Sequence, residues 1–459
     1  MNRDILRIAI PNIISNITVP LMGIASTFIA GRVAGSDGAT TIGALSIGVA
    51  IFNFIYWNCS FIRMGTSGLT AQAYGAEQHK EYTLMLWRAV VVALGVGLLA
   101  FSLQWPIGEF SLWFMSTGDG GQDSLIADYF YTRIWAVPAG IMLFAFNGWL
   151  TGMQNAVVPM AVAILVNVLH IGCSYLFSIV GTMSIDGIAL ASVVAQWTGV
   201  AVTVVIITLM YRKRLVKVTF SEVIDLKAMK QFFNINSDII VRTFCLVAVY
   251  TFFTKASADM GDKNILAVNT ILLQLFTLFS YMNDGFAFAA EALTGRFIGA
   301  RDSGSLRRCV KLCIIWSVII AVLYVGAYVG WWRDIFTLLV DSKTSNVTEL
   351  IAVAEKYIGW IIVIPIACAL PFVMDGIMVG ATRSRIMRNS MIWSSVVYFV
   401  LLYGTSWLIG NNAIWLAFTS FMFIRGVLQY YMSDKLRDIY READIKQGRK
   451  MRNRLISRE

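Results

Sequence analysis

The sequence predicts an all-α polytopic membrane protein: twelve transmembrane helices forming two six-helix lobes in a parallel pseudo-two-fold repeat. Three observations predict it. Hydrophobic residues make up 58% of the 459 and charged residues only 14%, about half the charge of an ordinary soluble domain. Apolar runs long enough to span a bilayer recur along the whole chain. The two halves also share short motifs at a nearly constant offset.

Taken in order, the runs place spans near residues 8–34, 41–71, 84–104, 127–150, 160–181, 187–210, 235–258, 264–296, 309–331, 356–381, 390–409 and 413–433. The first is too long for a secretory h-region and is interrupted by Pro11, Asn12 and Asn16, so it is read as a span and not as a signal peptide. Pro11 and Pro20 predict that this span is bent or broken. Residues 1–210 form the expected first lobe, 211–234 a basic cytoplasmic linker, 235–433 the second lobe and 434–459 a basic cytoplasmic tail.

Orientation follows from the basic residues. With both termini placed inside, inner segments hold 27 lysines and arginines and outer segments six, which predicts cytoplasmic N- and C-termini in a plasma or inner membrane. Cysteine labelling at Ser221 (inside) and Ser342 (outside) would test this orientation. The tail is read as a solvated segment near anionic lipid, with no nucleic-acid role.

The repeat is read from two motif pairs. GLTAQAYGA closes span 2 and ALTGRFIGA closes span 8, with Thr70 and Thr294 224 residues apart. FNGWLTG closes span 4 and MDGIMVG closes span 10, with Asn147 and Asp375 228 residues apart. Six spans separate the partners, so the halves share one orientation, an architecture common among transporters. Gly68, Gly75, Gly299 and Gly380 flank these motifs and are expected to tolerate bulk poorly.

Chemistry-bearing residues are few, and most lie in the second half. Asp284 and Glu291 sit seven residues apart in the stretch YMNDGFAFAAEALTGRFIGARD, nearly two turns along one helix face. A carboxylate within a span is costly unless paired, protonated or wetted, and so marks either an ion path or a structural ion pair. Asp238, Arg242, Asp375 and Arg425 complete the embedded set. Asp238 and Arg242 are i,i+4, which predicts that they pair. Four acids against two arginines leave a surplus of two negative charges for protons or cations to neutralise.

Asp284 and Asp375 therefore lead the ion-coupling candidates, followed by Glu291 and by His170 of the first half. Asp238, Arg242, Arg425 and Arg63 are read as structural ion pairs or gating groups. Asn16, Ser26, Asn147, Asn167 and Ser174 are candidates for lining a polar cavity. Desolvation favours a protonated carboxyl, whereas an adjacent arginine holds one ionised. Sodium is the alternative coupling ion, bound by carboxylates and asparagine oxygens.

Other classes find little support. Six scattered cysteines, two histidines and no Cys-x-x-Cys predict no metal site, and no phosphate-binding glycine loop of the Walker type occurs. No cofactor is expected. A membrane-embedded transferase would need a convergent nucleophile and base, and within the spans only His170 is available. No catalytic residue is assigned.

DGFAFAAEALTGRFIGARD, FIRMGTSGLTAQAYGA (61–76) and DGIMVGATRSRIMRNSM (375–391) resemble the multidrug and toxic compound extrusion (MATE) family, most closely its DinF-like branch. The resemblance covers essentially all twelve spans. It implies two six-helix lobes around a central cavity, a secondary antiporter, and export of organic, often cationic, compounds against H+ or Na+; the chain is expected to act as a monomer. The same fold also suits a flippase or exporter of a lipid-linked precursor, for which Arg63 and Arg133 could meet anionic head groups. The family's acids in the first and fifth spans fall here on Ser26 and Ser174. Coupling is therefore expected to rest on the C-terminal half, with His170 as an accessory.

Overall fold

A computed structural model describes residues 1–33, 38–116, 118, 120–181, 183–339, 347–434, 436, 437, 439–441, 443 and 444. Ser342 and most of the basic tail lie outside the described residues. Among the described residues there are no strands, and twelve helices are long and apolar enough to cross a membrane. They are α1 (Asn2–Ala30), α2 (Gly38–Gly75), α3 (His79–Ser102), α4 (Gly120–Gly152), α5 (Val157–Val180) and α6 (Ile185–Tyr211), followed by α7–α12. The second set is α7 (Leu226–Asp259), α8 (Lys263–Ala300), α9 (Ser303–Thr337), α10 (Ile358–Gly380), α11 (Ser384–Ile409) and α12 (Asn411–Met432). Only helices or closed barrels satisfy every backbone group within lipid, and these runs carry enough apolar residues to do so as helices.

Span existence and order match the sequence reading, and boundaries shift by several residues. The largest consequence is at α11, which begins at Ser384 instead of near 390 and so carries Arg385 and Arg388 into the helix. The first span is not broken: α1 runs as one helix through Pro11 and Pro20. Asn12 Nδ2 donates to the Ile8 carbonyl oxygen at 2.8 Å, one turn back, beside the donor that Pro11 lacks. The start and stop of α8 are also local. Asp262 caps it by accepting from the Asn264 N–H at 2.8 Å, and Arg301 ends it in the left-handed conformation at φ 60°.

The chain divides into two compact units. One comprises Ile14–Asn236; the other joins Met1–Ile13 to the chain from Ser237 onward. In each unit one helix is the most enclosed, α4 in the first and α10 in the second. The core of the second unit is aromatic: Phe253, Phe276, Phe279, Trp415 and Phe418 are buried together, with edge-to-face contacts such as Phe276–Phe418 at 5.2 Å.

The repeat is written into backbone contacts inside each unit. A β-carbon added at Gly152 of α4 would stand 2.6 Å from Thr70 Cβ and 2.8 Å from the Ser67 carbonyl oxygen of α2. One at Gly380 of α10 would meet the Glu291 carbonyl oxygen and stand 3.1 Å from Thr294 Cβ of α8. Gly148 meets the Arg63 carbonyl oxygen in the same way that Gly376 meets that of Ala287. Every partner on α2 and α8 is offset by 224 residues, and every glycine on α4 and α10 by 228. The shared motifs are therefore the footprint of one close helix crossing used twice.

Residues 212–225 return along α3. The short helix Phe220–Val223 is closed by a capping box between Thr219 and Glu222. Glu222 also pairs with Lys80, and this bond, with the Thr219 N–H, holds its carboxyl down to about 2. The buried Arg88 donates to the carbonyl oxygens of Val223 (3.2 Å) and Glu222 (3.0 Å).

Candidate functional site

Two embedded arginines of the second unit meet Asp375, five residues before the end of the enclosed α10. Its Oδ2 accepts from Arg242 of α7, and Arg425 Nη2 of α12 lies 3.7 Å from the same oxygen. Oδ1 accepts from Gln429 Nε2 at 2.6 Å, one turn beyond Arg425. Arg425 is itself buried, with its guanidinium 5.6 Å from the Phe372 ring centre and 6.0 Å from that of Phe421. Asp375 thus faces positive charge and a hydrogen-bond donor supplied from two helices.

The expected Asp238–Arg242 pair is not formed. Asp238 accepts instead from Arg388 Nη1 at 2.6 Å and from Ser384 Oγ at 2.7 Å, both on α11. Arg242 points to Asp375. Helical spacing makes the i,i+4 contact available, but each partner finds a charge on another helix, and the earlier start of α11 supplies the third arginine. The expected surplus of two negative charges omitted Arg388. In this cluster three arginines face two aspartates.

Asp284 and Glu291 lie along α8. Glu291 is buried, and its main chain forms the crossing with Gly380. Asp284 is half-buried and, with Arg425, lies within electrostatic reach of Tyr250.

The first unit holds a smaller polar centre on α1, α5 and α6. His170 is buried between two hydroxyls: Ser26 Oγ is 3.0 Å from Nε2, and Ser192 Oγ is 3.2 Å from Nδ1. Ser26 Oγ donates to the Met22 carbonyl oxygen at 2.9 Å, which leaves its lone pairs for the Nε2–H. The Ser192 hydroxyl has two destinations, Nδ1 or the Ile188 carbonyl oxygen at 3.4 Å. One turn before His170, Asn167 Nδ2 donates to Thr18 Oγ1 at 2.7 Å. One turn after it, the buried Ser174 Oγ makes no hydrogen bond, and α5 passes into a π-helical end over Leu176–Val180. Asn147 Oδ1 is likewise buried without a hydrogen bond. Asn16 and Arg63 each have an interaction partner. Arg133, within electrostatic reach of His170, is buried against Phe52 (4.9 Å) and Tyr129 (5.3 Å).

Sequence reasoning missed Ser192, Ser384, Arg388 and Gln429. Gln429 had a signal, since it is i+4 from Arg425. Ser384 and Arg388 were hidden by the misjudged start of α11, and Ser192 had no signal beyond being a small polar residue in an apolar run.

Twelve spans in two repeats, with buried polar centres on the helices, define a polytopic helical membrane protein. The sequence profile of the MatE family matches twice, over residues 11–176 and 239–404; the two matches start 228 residues apart, the offset of the α4 and α10 glycines. The chain is 30% identical over 423 residues to the DNA damage-inducible protein F of Escherichia coli, covering 92% of this chain and 89% of that one. It is 22% identical to a probable multidrug resistance protein NorM of Pasteurella multocida, covering 70% and 69%. A MOP superfamily transporter from Pyrococcus furiosus shares the fold, with a TM-score of 0.80 at 16% identity over 95% of this chain and 96% of that one. This chain belongs to the MatE family, the multidrug and toxic compound extrusion transporters.

Proposed function

We propose that the chain is a secondary antiporter that exports organic, amphipathic or cationic compounds in exchange for protons by alternating access. The family and relatives such as the multidrug resistance protein of Pasteurella multocida support the cargo class. The basic-residue distribution supports a plasma or inner membrane with both termini cytoplasmic. The chain works as a monomer, without cofactor, catalytic residue or nucleic acid.

The observation that carries proton coupling is the pair of hydroxyls around His170. With the imidazole neutral, Nε2–H donates to Ser26 and the Ser192 hydroxyl donates to Nδ1. With the imidazole protonated, Nδ1–H donates to Ser192, whose hydroxyl turns to the Ile188 carbonyl oxygen. One hydroxyl rotation thus keeps every group satisfied in both states. Asp284 and Glu291 remain proton-carrying candidates of the second repeat. Asp375, held by Arg242, Arg425 and Gln429, is assigned a structural role with Asp238.

The test is transport in proteoliposomes with H+ and Na+ gradients imposed separately. Efflux should follow the pH gradient, and His170→Gln should lose that dependence while keeping substrate binding. Normal coupling in His170→Gln with failure in Asp284→Asn or Glu291→Gln would return coupling to the acids. Drive by a sodium gradient alone would overturn the proton reading, and scrambling of a lipid-linked precursor would overturn the cargo.

A further inference from the structure

The returning segment after α6 and the flank of α3 enclose a groove of about 700 Å³. Both walls are fastened. Tyr82 Oη donates to the Arg214 carbonyl oxygen at 3.1 Å, the Val216 N–H lies 3.4 Å from Thr83 Oγ1, and Arg88 and Lys80 hold residues 222–223 as described. Trp87, Val90, Val91 and Leu94 line one wall, and Leu215 and Phe220 line the other. The α3 wall runs from Thr83 to Leu94, eleven helical rises or about 16 Å.

The two ends of this groove differ in chemistry. One lies among charges: Lys80 and Glu81 open α3, and Arg212, Lys213, Arg214 and Lys217 are all exposed. No acid occurs in residues 211–221, and Glu222, the first, is already engaged by Lys80 and the Thr219 N–H. The other end, along Val90, Val91 and Leu94, is apolar. A ligand that fits is a long apolar chain with a negative charge at one end. A cationic cargo is disfavoured by the basic run, and a peptide would find few hydrogen-bonding partners along an apolar wall.

We propose that this groove is a binding site for an anionic phospholipid, with an acyl chain along Trp87–Leu94 and the phosphate held by Lys217 and the 212–214 run. The lipid would pin the segment that joins the two repeats to the membrane surface, making its attachment depend on the charge of the leaflet. This site is independent of the coupling centre around His170.

The test is native mass spectrometry of the purified full-length protein, titrated with phosphatidylglycerol and, separately, phosphatidylcholine of the same chains. Phosphatidylglycerol should be retained at least about tenfold more tightly, and Lys213→Gln/Lys217→Gln, at exposed positions, should lose about tenfold or more of that affinity. Val91→Trp, which fills the groove from the α3 side, should lower retention of the same lipid with the basic run intact. Equal retention of the two lipids, or retention unchanged in both variants, would overturn the proposal. Displacement of the lipid by millimolar inorganic phosphate would assign the basic run to a free anion, and preferential binding of an amphipathic cation would assign the groove to cargo; either result overturns it.

Discussion

Arg242 donates to Asp375, 133 residues away on α10, although Asp238 stands one turn before it on its own helix. The local contact would neutralise two charges on a single helix. The observed arrangement instead ties α7 to α10 through Arg242 and α7 to α11 through Asp238 and Arg388. Breaking a buried pair by removing one member leaves an uncompensated charge, which makes such pairs expensive to disrupt whatever their net worth.

Asp375→Asn is therefore expected to destabilise the second unit by about 3 kcal/mol, because the buried Arg425 and the partly buried Arg242 then face a neutral amide. Asp238→Asn should cost about 1 kcal/mol, since Arg388 is one-third exposed at 34% and can rehydrate. Thermal unfolding of the purified variants in one detergent measures both. An Asp238→Asn loss equal to or larger than that of Asp375→Asn would show that burial does not set the cost.

The paired glycine crossings make a second prediction. Gly152→Val and Gly380→Val should each lower folded yield sharply, by about 2 kcal/mol or more, because the new atoms meet main-chain atoms that cannot turn aside. Gly172→Val, where nothing lies within 4 Å of an added β-carbon, is the control. Fluorescence-detected size exclusion of membrane extracts reads the yield. Equal yields at Gly172 and Gly380 would remove close approach as the reason for these glycines.

Much of this was legible because the bilayer allows few solutions. Long apolar runs had to be helices, and the small residues around Gly152 and Gly380 had to sit where backbones meet. The pairing of charges was not legible, because it depends on which helices are neighbours and on where each begins. A six-residue error at the start of α11 removed Arg388 from the reckoning, and a local spacing rule then assigned Arg242 to the wrong aspartate. His170 was singled out, but its two serine partners lie on separate helices, and only Ser26 had drawn notice, as a departure from the family pattern.

Asn269 belongs to the illegible part and gives a third prediction. Its Nδ2 donates to Ser257 Oγ (2.9 Å) and Asn411 Oδ1 (2.6 Å), and its Oδ1 accepts from Trp415 Nε1 (2.8 Å) and Asn411 Nδ2 (3.1 Å). Both donors and both acceptor positions are used, joining α7, α8 and α12. Asn269→Leu should cost about 2 kcal/mol or more by leaving the indole N–H and the Asn411 amide buried without partners. Adding Trp415→Phe should cost less than the two single losses combined, since the second change removes an unsatisfied donor. Strict additivity in that cycle would mean that the network is not coupled.

The last prediction concerns orientation. The distribution of basic residues places the segment after α6 on the cytoplasmic side and the turn before α8 outside. Lys263, at the start of α8, marks the outer side. Ser221 and Lys263 are both exposed, so cysteines there meet solvent without disturbing packing. The native cysteines are poor competitors: Cys59, Cys309, Cys313 and Cys368 are buried, and Cys173 and Cys245 are half-buried. In intact cells, an impermeant maleimide should label Lys263→Cys and leave Ser221→Cys unmodified until the membrane is opened. The same cells after permeabilisation show that Ser221→Cys was present and reactive. Labelling of Ser221→Cys alone in sealed cells would reverse the orientation, placing the anionic-lipid groove in the opposite leaflet and the transport direction with it.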